Sequence, residues 1–198
     1  MPLHLHLDPL GGVAGDMFVG ALLDAWPELE SPLQTALAEA DLTRLITVRQ
    51  STHRDHTLSG SRFEVEPVQA DNHDHRSFQV IRDLLSEIKL GEGVKQQALA
   101  IFQLLADAEG RVHGVASEQV QFHEVGAWDS IADIVCAAWL IDRLNIEHWS
   151  CAPLPMGRGR VMSAHGWLPV PAPATTLLLE GFPLFQDDLD GERITPTG

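Results

Sequence analysis

The chain has 198 residues, 44% of them hydrophobic and 21% charged, with 13 Lys and Arg against 28 Asp and Glu, a formal net charge of −15. That length fits one domain or slightly more, able to bury roughly 70% of its unfolded surface; no apolar run approaches the ~20 residues of a membrane span, and Met1–Leu7 lacks the basic and long apolar regions of a secretory signal. The acidic excess argues against nucleic acid as a partner, because neutralising phosphates needs Lys and Arg, and it suits cations, as do the 10 histidines. Cys136 and Cys151 cannot make a disulfide framework, which points to the reducing cytoplasm.

Leu3–Asp8 alternates Leu with His and predicts a strand, and Pro9–Asp16 carries the glycines of a tight loop before a helix over Met17–Ala25. Ser31 with Pro32 behind it reads as the start of a short helix to about Ala40. Ile46–Gln50 and Arg62–Val68 read as a β-hairpin joined through the polar stretch His53–Gly60. After the polar loop Gln69–Arg76, Ser77 caps a helix to Lys89, ended by Gly91 and Gly93. Val94, Ala98, Ile101, Phe102, Leu105 and Ala108 recur at three and four, giving an amphipathic helix of some four turns. A short strand near Gln119–Phe122 precedes a helix over about Ala127–Leu144. From Cys151 the chain is punctuated by Pro and Gly, with one further helix at about Ala174–Glu180. The predicted class is α+β: a mixed sheet with a hairpin and packed helices, opened by a Gly-rich strand–loop–helix unit.

Four places carry residues able to do chemistry. Asp8, Gly11, Gly12, Gly15 and Asp16 flank a helix start, where backbone N–H groups and the helix dipole favour an anion. The spacing matches neither a dinucleotide fingerprint nor a Walker loop, so a tight turn capped by Asp16 explains it equally. His4 and His6 share a strand face with Asp8, an H-x-H-x-D set of the kind that ligates a metal; alternation produces such faces routinely, and these histidines are read as a solvated polar face. His73-Asp74-His75 offers imidazoles suited to nickel, copper or zinc on a polar loop. In the helix that follows Phe122, Asp133 is the single charge in the 11 residues Ile131–Ile141, so it must be partnered or face a cleft. Asp129 lies one turn earlier on the same face, and the pair with His123 nearby would make a cation site. His123 and Glu124 point to opposite faces if that stretch is extended, unless the chain turns. Arg158 and Arg160 offer guanidinium groups for an anion, and His165 precedes the rigid run Pro169–Pro173.

Taken in order, these segments resemble one family. Asp8-x-x-Gly11-Gly12-x-x-Gly15-Asp16-Met17, Val112-His113-Gly114, Phe122-His123-Glu124-Val125-Gly126-Ala127-x-Asp129-Ser130-Ile131-x-Asp133-Ile134, Pro153-Leu154-Pro155-x-Gly157-x-Gly159, His165-Gly166-x-Leu168-Pro169-Val170-Pro171-Ala172-Pro173-Ala174 and Thr195-Pro196-Thr197-Gly198 are similar to the successive motifs of the LarC-type nickel-insertion proteins. The similarity runs from Asp8 to the last residue. It departs where Gly11 and Ala14 replace common serines, and where a long histidine run is reduced to His73 and His75.

The resemblance implies a nickel insertase, a cyclometallase of the lyase or chelatase class. Such proteins insert nickel into pyridinium-3,5-bisthiocarboxylic acid mononucleotide, forming a nickel–carbon bond with consumption of CTP, and the nickel-pincer nucleotide serves lactate racemase-type enzymes. It also implies one N-terminal nickel-insertion domain over 1–198, Pro/Gly-rich at 151–198, with the CTP-binding C-terminal domain and its divalent metal expected beyond Gly198. Expected partners are the precursor mononucleotide, that C-terminal half, a recipient racemase-type apoenzyme and further copies of the chain, with neither nucleic acid nor a membrane. His73, His75, His113, His123 and Glu124 are the expected nickel ligands. Asp8, Gly11, Gly12, Gly15, Asp16, Arg158 and Arg160 are expected to hold the anionic precursor. Loss of the pyridinium C4 proton needs an acceptor, expected at His123 or His165 with Asp129 or Asp133 orienting the ring. A nickel storage or delivery module without catalysis is the alternative, and a metal-dependent hydrolase a weaker third.

Overall fold

The computed structural model describes residues 3–69, 76–163 and 166–198. His73, His75 and His165 therefore lie outside the described residues. The alternating start forms β1 (His4–Leu7), and the Gly-rich loop delivers the chain to α1 (Gly15–Ala25), two residues earlier than the hydrophobic pattern alone indicates. A single 3₁₀ turn over Pro27–Leu29 leads directly into α2 (Glu30–Glu39). Ser31 is thus inside that helix and does not cap it; the earlier turn already supplies the helical backbone. The hairpin is longer than the apolar alternation shows, with β2 (Ile46–Asp55) and β3 (Leu58–Pro67) paired along their full length. Its tip turns at His56, whose φ of 44° lies in the left-handed region.

A two-residue strand, β4 (Arg76–Ser77), precedes α3 (Phe78–Glu87), where the Ser77 hydroxyl accepts the Val80 N–H at 3.2 Å as the sequence predicts. The predicted amphipathic helix is α4 (Glu92–His113), six turns rather than four because its polar ends continue past the apolar stripe. It stops on Gly114, which has φ +69°. β5 (Gln121–Phe122) pairs with β4, and α5 (Trp128–Leu144) follows. Beyond it come β6 (His148–Cys151), β7 (Leu154–Pro155), β8 (Arg160–Ser163), β9 (Gly166–Pro169), α6 (Pro173–Leu178) and β10 (Leu184–Phe185). The fold is α+β, with parallel pairing in β1–β6 and β7–β10 and antiparallel pairing in the other three two-stranded sheets among the described residues.

Helix α5 occupies the centre. Ile131, Ile134, Val135 and Leu140 are buried, and the helix packs on α1, α4 and β3. That explains a helix with almost no polar face: it is covered on most sides. Phe122 anchors the approach to it, packed edge-on against Phe78 and tilted against Phe102, with ring centroids 6.3 and 6.1 Å apart. Arg76 stacks over Trp128 at 4.2 Å and donates to the Gly126 carbonyl, fixing the turn before α5.

A smaller cluster of Leu154, Leu179 and Ile194, with Val13 and Cys151 against it, ties the Pro-rich part to the N-terminal loop. The backbone makes the same tie. Val13 donates to the Arg193 carbonyl at 2.8 Å and accepts from the Thr195 N–H at 3.2 Å. Gly12 makes the approach feasible: its φ is +103°, and a Cβ there would collide with the Arg193 carbonyl. Replacing Gly12 with Ala is expected to cost more than about 1 kcal/mol in denaturant unfolding, whereas Ala at Gly11, with nothing within 4 Å of its Cβ position, is expected to cost far less. Equal losses would show that the stitch between the loop and residues 193–195 contributes little.

Candidate functional site

The elements just described enclose a cleft of about 650 Å³. One wall is the start of α1 (Ala14, Gly15, Asp16) and a second is α5 with the turn before it (Glu124, Val125, Asp129, Ser130, Asp133). Strand β3 contributes Arg62 through Glu66, and the C-terminal segment contributes Glu192 and Thr195–Thr197. Among the described residues, seven carboxylates and one guanidinium line this cleft: Asp16, Glu64, Glu66, Glu124, Asp129, Asp133 and Glu192 against Arg62. Glu64 is partly neutralised, since Arg49 donates to its Oε2 at 2.9 Å and holds its pKa below the usual value.

Asp133 is the inner carboxyl, only 8% exposed. It reaches the first turn of α1 because residue 15 has no side chain: a Cβ there would lie 2.8 Å from the Asp133 Cβ and 2.9 Å from its Oδ2. The Asp16 backbone N–H donates to the Asp133 carboxylate, so the anion that this helix start meets is a side chain of the protein itself. Asp133 Oδ1 is buried with no hydrogen-bond partner. Burial first, and then the charges of Asp16 and Asp129, push its pKa up to about 7. Burial and the charge of Glu124 likewise raise Glu192. Asp129 sits at the α5 start and accepts the Ser130 N–H at 2.8 Å.

A narrower cleft of about 210 Å³ adjoins the first and shares Glu124, Val125, Glu192 and Pro196 with it. It holds Glu109, His113 and His123, and His113 Nε2 lies 3.4 Å from Glu109 Oε2. The chain does turn after His123, through a 3₁₀ turn over Glu124–Gly126, so His123 and Glu124 line one cleft together. Among the described residues no group of three or more His, Cys, Asp or Glu side chains has an arrangement that could hold a metal ion.

The remaining expected residues fall elsewhere. Arg158 is paired with Asp190 at 2.7 Å and with Asp188 at 3.7 Å, and neither Arg158 nor Arg160 lines either cleft. Asp8 is exposed and its charge adds to burial in raising the Cys151 thiol pKa. In the Gly-rich loop the N–H groups of Leu10, Gly12 and Val13 are taken by backbone carbonyls, while Gly15 lines the large cleft. Glu64, Glu66 and Glu192 are not among the residues expected from the sequence. Their partners in the cleft lie far away along the chain, and no local signal marks them.

The family model described as "Nickel insertion protein" matches residues 5–198. The chain belongs to that family. Relatives named for nickel insertion from Thermomicrobium roseum and Pelobacter propionicus are each 46% identical to it over 98% of the chain, covering 47% and 49% of their own lengths. A Desulfitobacterium hafniense relative, named pyridinium-3,5-bisthiocarboxylic acid mononucleotide nickel insertion protein, is 41% identical over 98% of the chain and 47% of its own length. The chain thus spans about half the length of these curated relatives. No solved structure matches it.

In this nickel insertion family member, Asp133 gives a direct pH test on the metal-free protein. A carboxyl with folded pKa near 7 and unfolded pKa near 3.8 binds more protons folded than unfolded between those values. Stability is therefore highest below about pH 4 as far as this group is concerned, and is lost as pH rises towards 7. Asp133→Asn, neutral at every pH, is expected to raise the melting temperature at pH 8 and to flatten its decline between pH 5 and 8. A variant less stable than the parent at pH 8, with the parent's slope, would show that Asp133 is ionised and satisfied.

Proposed function

We propose that this chain is the nickel-handling half of a nickel insertase, and that the acidic cleft receives Ni²⁺ and presents it to pyridinium-3,5-bisthiocarboxylic acid mononucleotide. The observation that carries the reading is the crowd of carboxylates around Asp133, which has a buried oxygen without a partner. Asp16 and Asp129 repel the Asp133 carboxylate, and a cation drawn among them relieves that repulsion once the side chains turn towards it. The precursor is itself an anion, with phosphate and two thiocarboxylates, so an empty cleft repels it, and a bound Ni²⁺ lessens that repulsion and offers the sulfurs a metal to bind. Nickel therefore binds first.

Transfer then runs in the favourable direction. Carboxylate oxygens are hard, modest ligands for Ni²⁺, and the sulfurs of the precursor are softer and bind it better. With both sulfurs on nickel, the metal stands over the pyridinium C4 between them. The C4–H electron pair becomes the nickel–carbon bond, and the proton leaves to a base. His123 is the proposed acceptor: it sits in the narrower cleft, whose wall residues Glu124 and Glu192 also face the acidic one. In this proposal the CTP-consuming step, with its divalent metal, belongs to the half of the relatives' length that the chain does not span, and the product passes to a lactate racemase-type apoenzyme.

Calorimetric titration with Ni²⁺ and then precursor tests the order. Precursor is expected to bind only after Ni²⁺, and Asp129→Asn is expected to weaken Ni²⁺ by roughly tenfold, the effect of losing one nearby charge in a partly solvated site. His123→Ala is expected to keep Ni²⁺ binding while slowing insertion by about 100-fold or more. Nickel binding that is indifferent to precursor would instead make the chain a storage or delivery module. Precursor binding without nickel would overturn the proposed order.

A further inference from the structure

The strand face bearing His4 and His6 does more than meet solvent. In the parallel β1–β6 pair, His4 stands opposite His148 and His6 opposite Ser150. Ser150 Oγ lies 2.8 Å from His4 Nε2 and 2.8 Å from His6 Nδ1. Two exposed imidazoles, two residues apart on one strand, thus aim a ring nitrogen each at a single point. A hydroxyl carries one proton, so it donates to one ring nitrogen and accepts an N–H from the other. The rings are consequently held in place with a convergence that a flexible surface pair lacks. A third ring, His148, is edge-on to His4 with centroids 6.4 Å apart.

We propose that His4 and His6 form a surface site for a late first-row divalent transition ion, nickel, copper or zinc, with the ion bound between the two facing ring nitrogens once the Ser150 hydroxyl has turned aside. Binding needs both facing nitrogens to present lone pairs, which a change of tautomer supplies, and both rings to shift from the 2.8 Å hydrogen bonds onto the ion at about 2.0–2.1 Å. Imidazole donors choose these ions over magnesium and calcium. With two protein ligands the remaining positions belong to water, so the site is open and exchanges its ion readily. None of these residues lines either cleft, and Asp8, the acid that follows them in sequence, stands beside Cys151. The site is therefore separate from the proposed insertion cleft and does not rest on that function.

The test uses the whole chain carrying His73→Gln and His75→Gln, so that those histidines do not mask the signal. Ni²⁺ alone is the probe, followed by calorimetry and by paramagnetic broadening of histidine ring signals. The His4 and His6 rings are expected to broaden at substoichiometric Ni²⁺, and His4→Gln with His6→Gln is expected to lose one equivalent from the isotherm. Ser150→Ala is expected to retain that equivalent, because the hydroxyl competes with the ion for both nitrogens. Unchanged rings together with an unchanged isotherm in the His4/His6 variant would overturn the site. The precursor-dependent nickel binding of the cleft is expected to survive in that variant, so either idea can fail alone.

Discussion

The carboxyl of Asp133 is buried against the first turn of α1, and the contact exists only because residue 15 is glycine. Much of the site follows from that approach. It brings α5 to the open end of α1 and places Asp16 and Asp129 within electrostatic range of a third acid. It also turns the partial positive charge of a helix start towards a side chain from the same protein. The N–H of Asp16 lowers the cost of burying the carboxylate but does not remove it, since burial and two like charges still hold the pKa near 7. A carboxyl held that far above its ordinary value gives up its proton readily to an arriving cation.

The C-terminal segment closes the arrangement. Arg193, Ile194 and Thr195 run beside Val13 in a parallel bridge, and Arg193 is itself held by Asp187 at 3.0 Å. This brings Glu192 and Thr195–Thr197 over the cleft from the far end of the chain, about 180 residues beyond the start of α1. The small cluster of Leu154, Leu179 and Ile194 supports both the edge of the cleft and the Pro-rich part. In a family whose members handle nickel, an acidic cleft assembled from segments distant in sequence keeps the charges apart in the unfolded chain and together only in the fold.

Much of the fold was legible locally. The stripe from Val94 to Ala108 and the Ser77 cap each state their element, because one helix face and one hydroxyl suffice. The lone charge of Asp133 in an apolar helix requires a partner or a cleft, and the fold gives it the Asp16 N–H and a place in the cleft wall. Strands β6 to β10 were not legible: they are two to four residues long and broken by Pro, so no alternation can develop. Ser31 with Pro32 carries the local signal of a helix start, yet the 3₁₀ turn over Pro27–Leu29 has already begun the helix. Arg158 looked available for an anion because its partners, Asp188 and Asp190, lie some 30 residues on. Glu64, Glu66 and Glu192 were invisible for the same reason, since each becomes part of a site only through a distant neighbour.

Anomalous diffraction at the nickel edge, from crystals of the chain grown with Ni²⁺, locates the metal directly. A nickel peak is expected in the acidic cleft, bound by carboxylate oxygens of Asp16, Asp129 or Asp133. A peak held by His113 and His123 in the adjoining cleft, with none among the carboxylates, would contradict it.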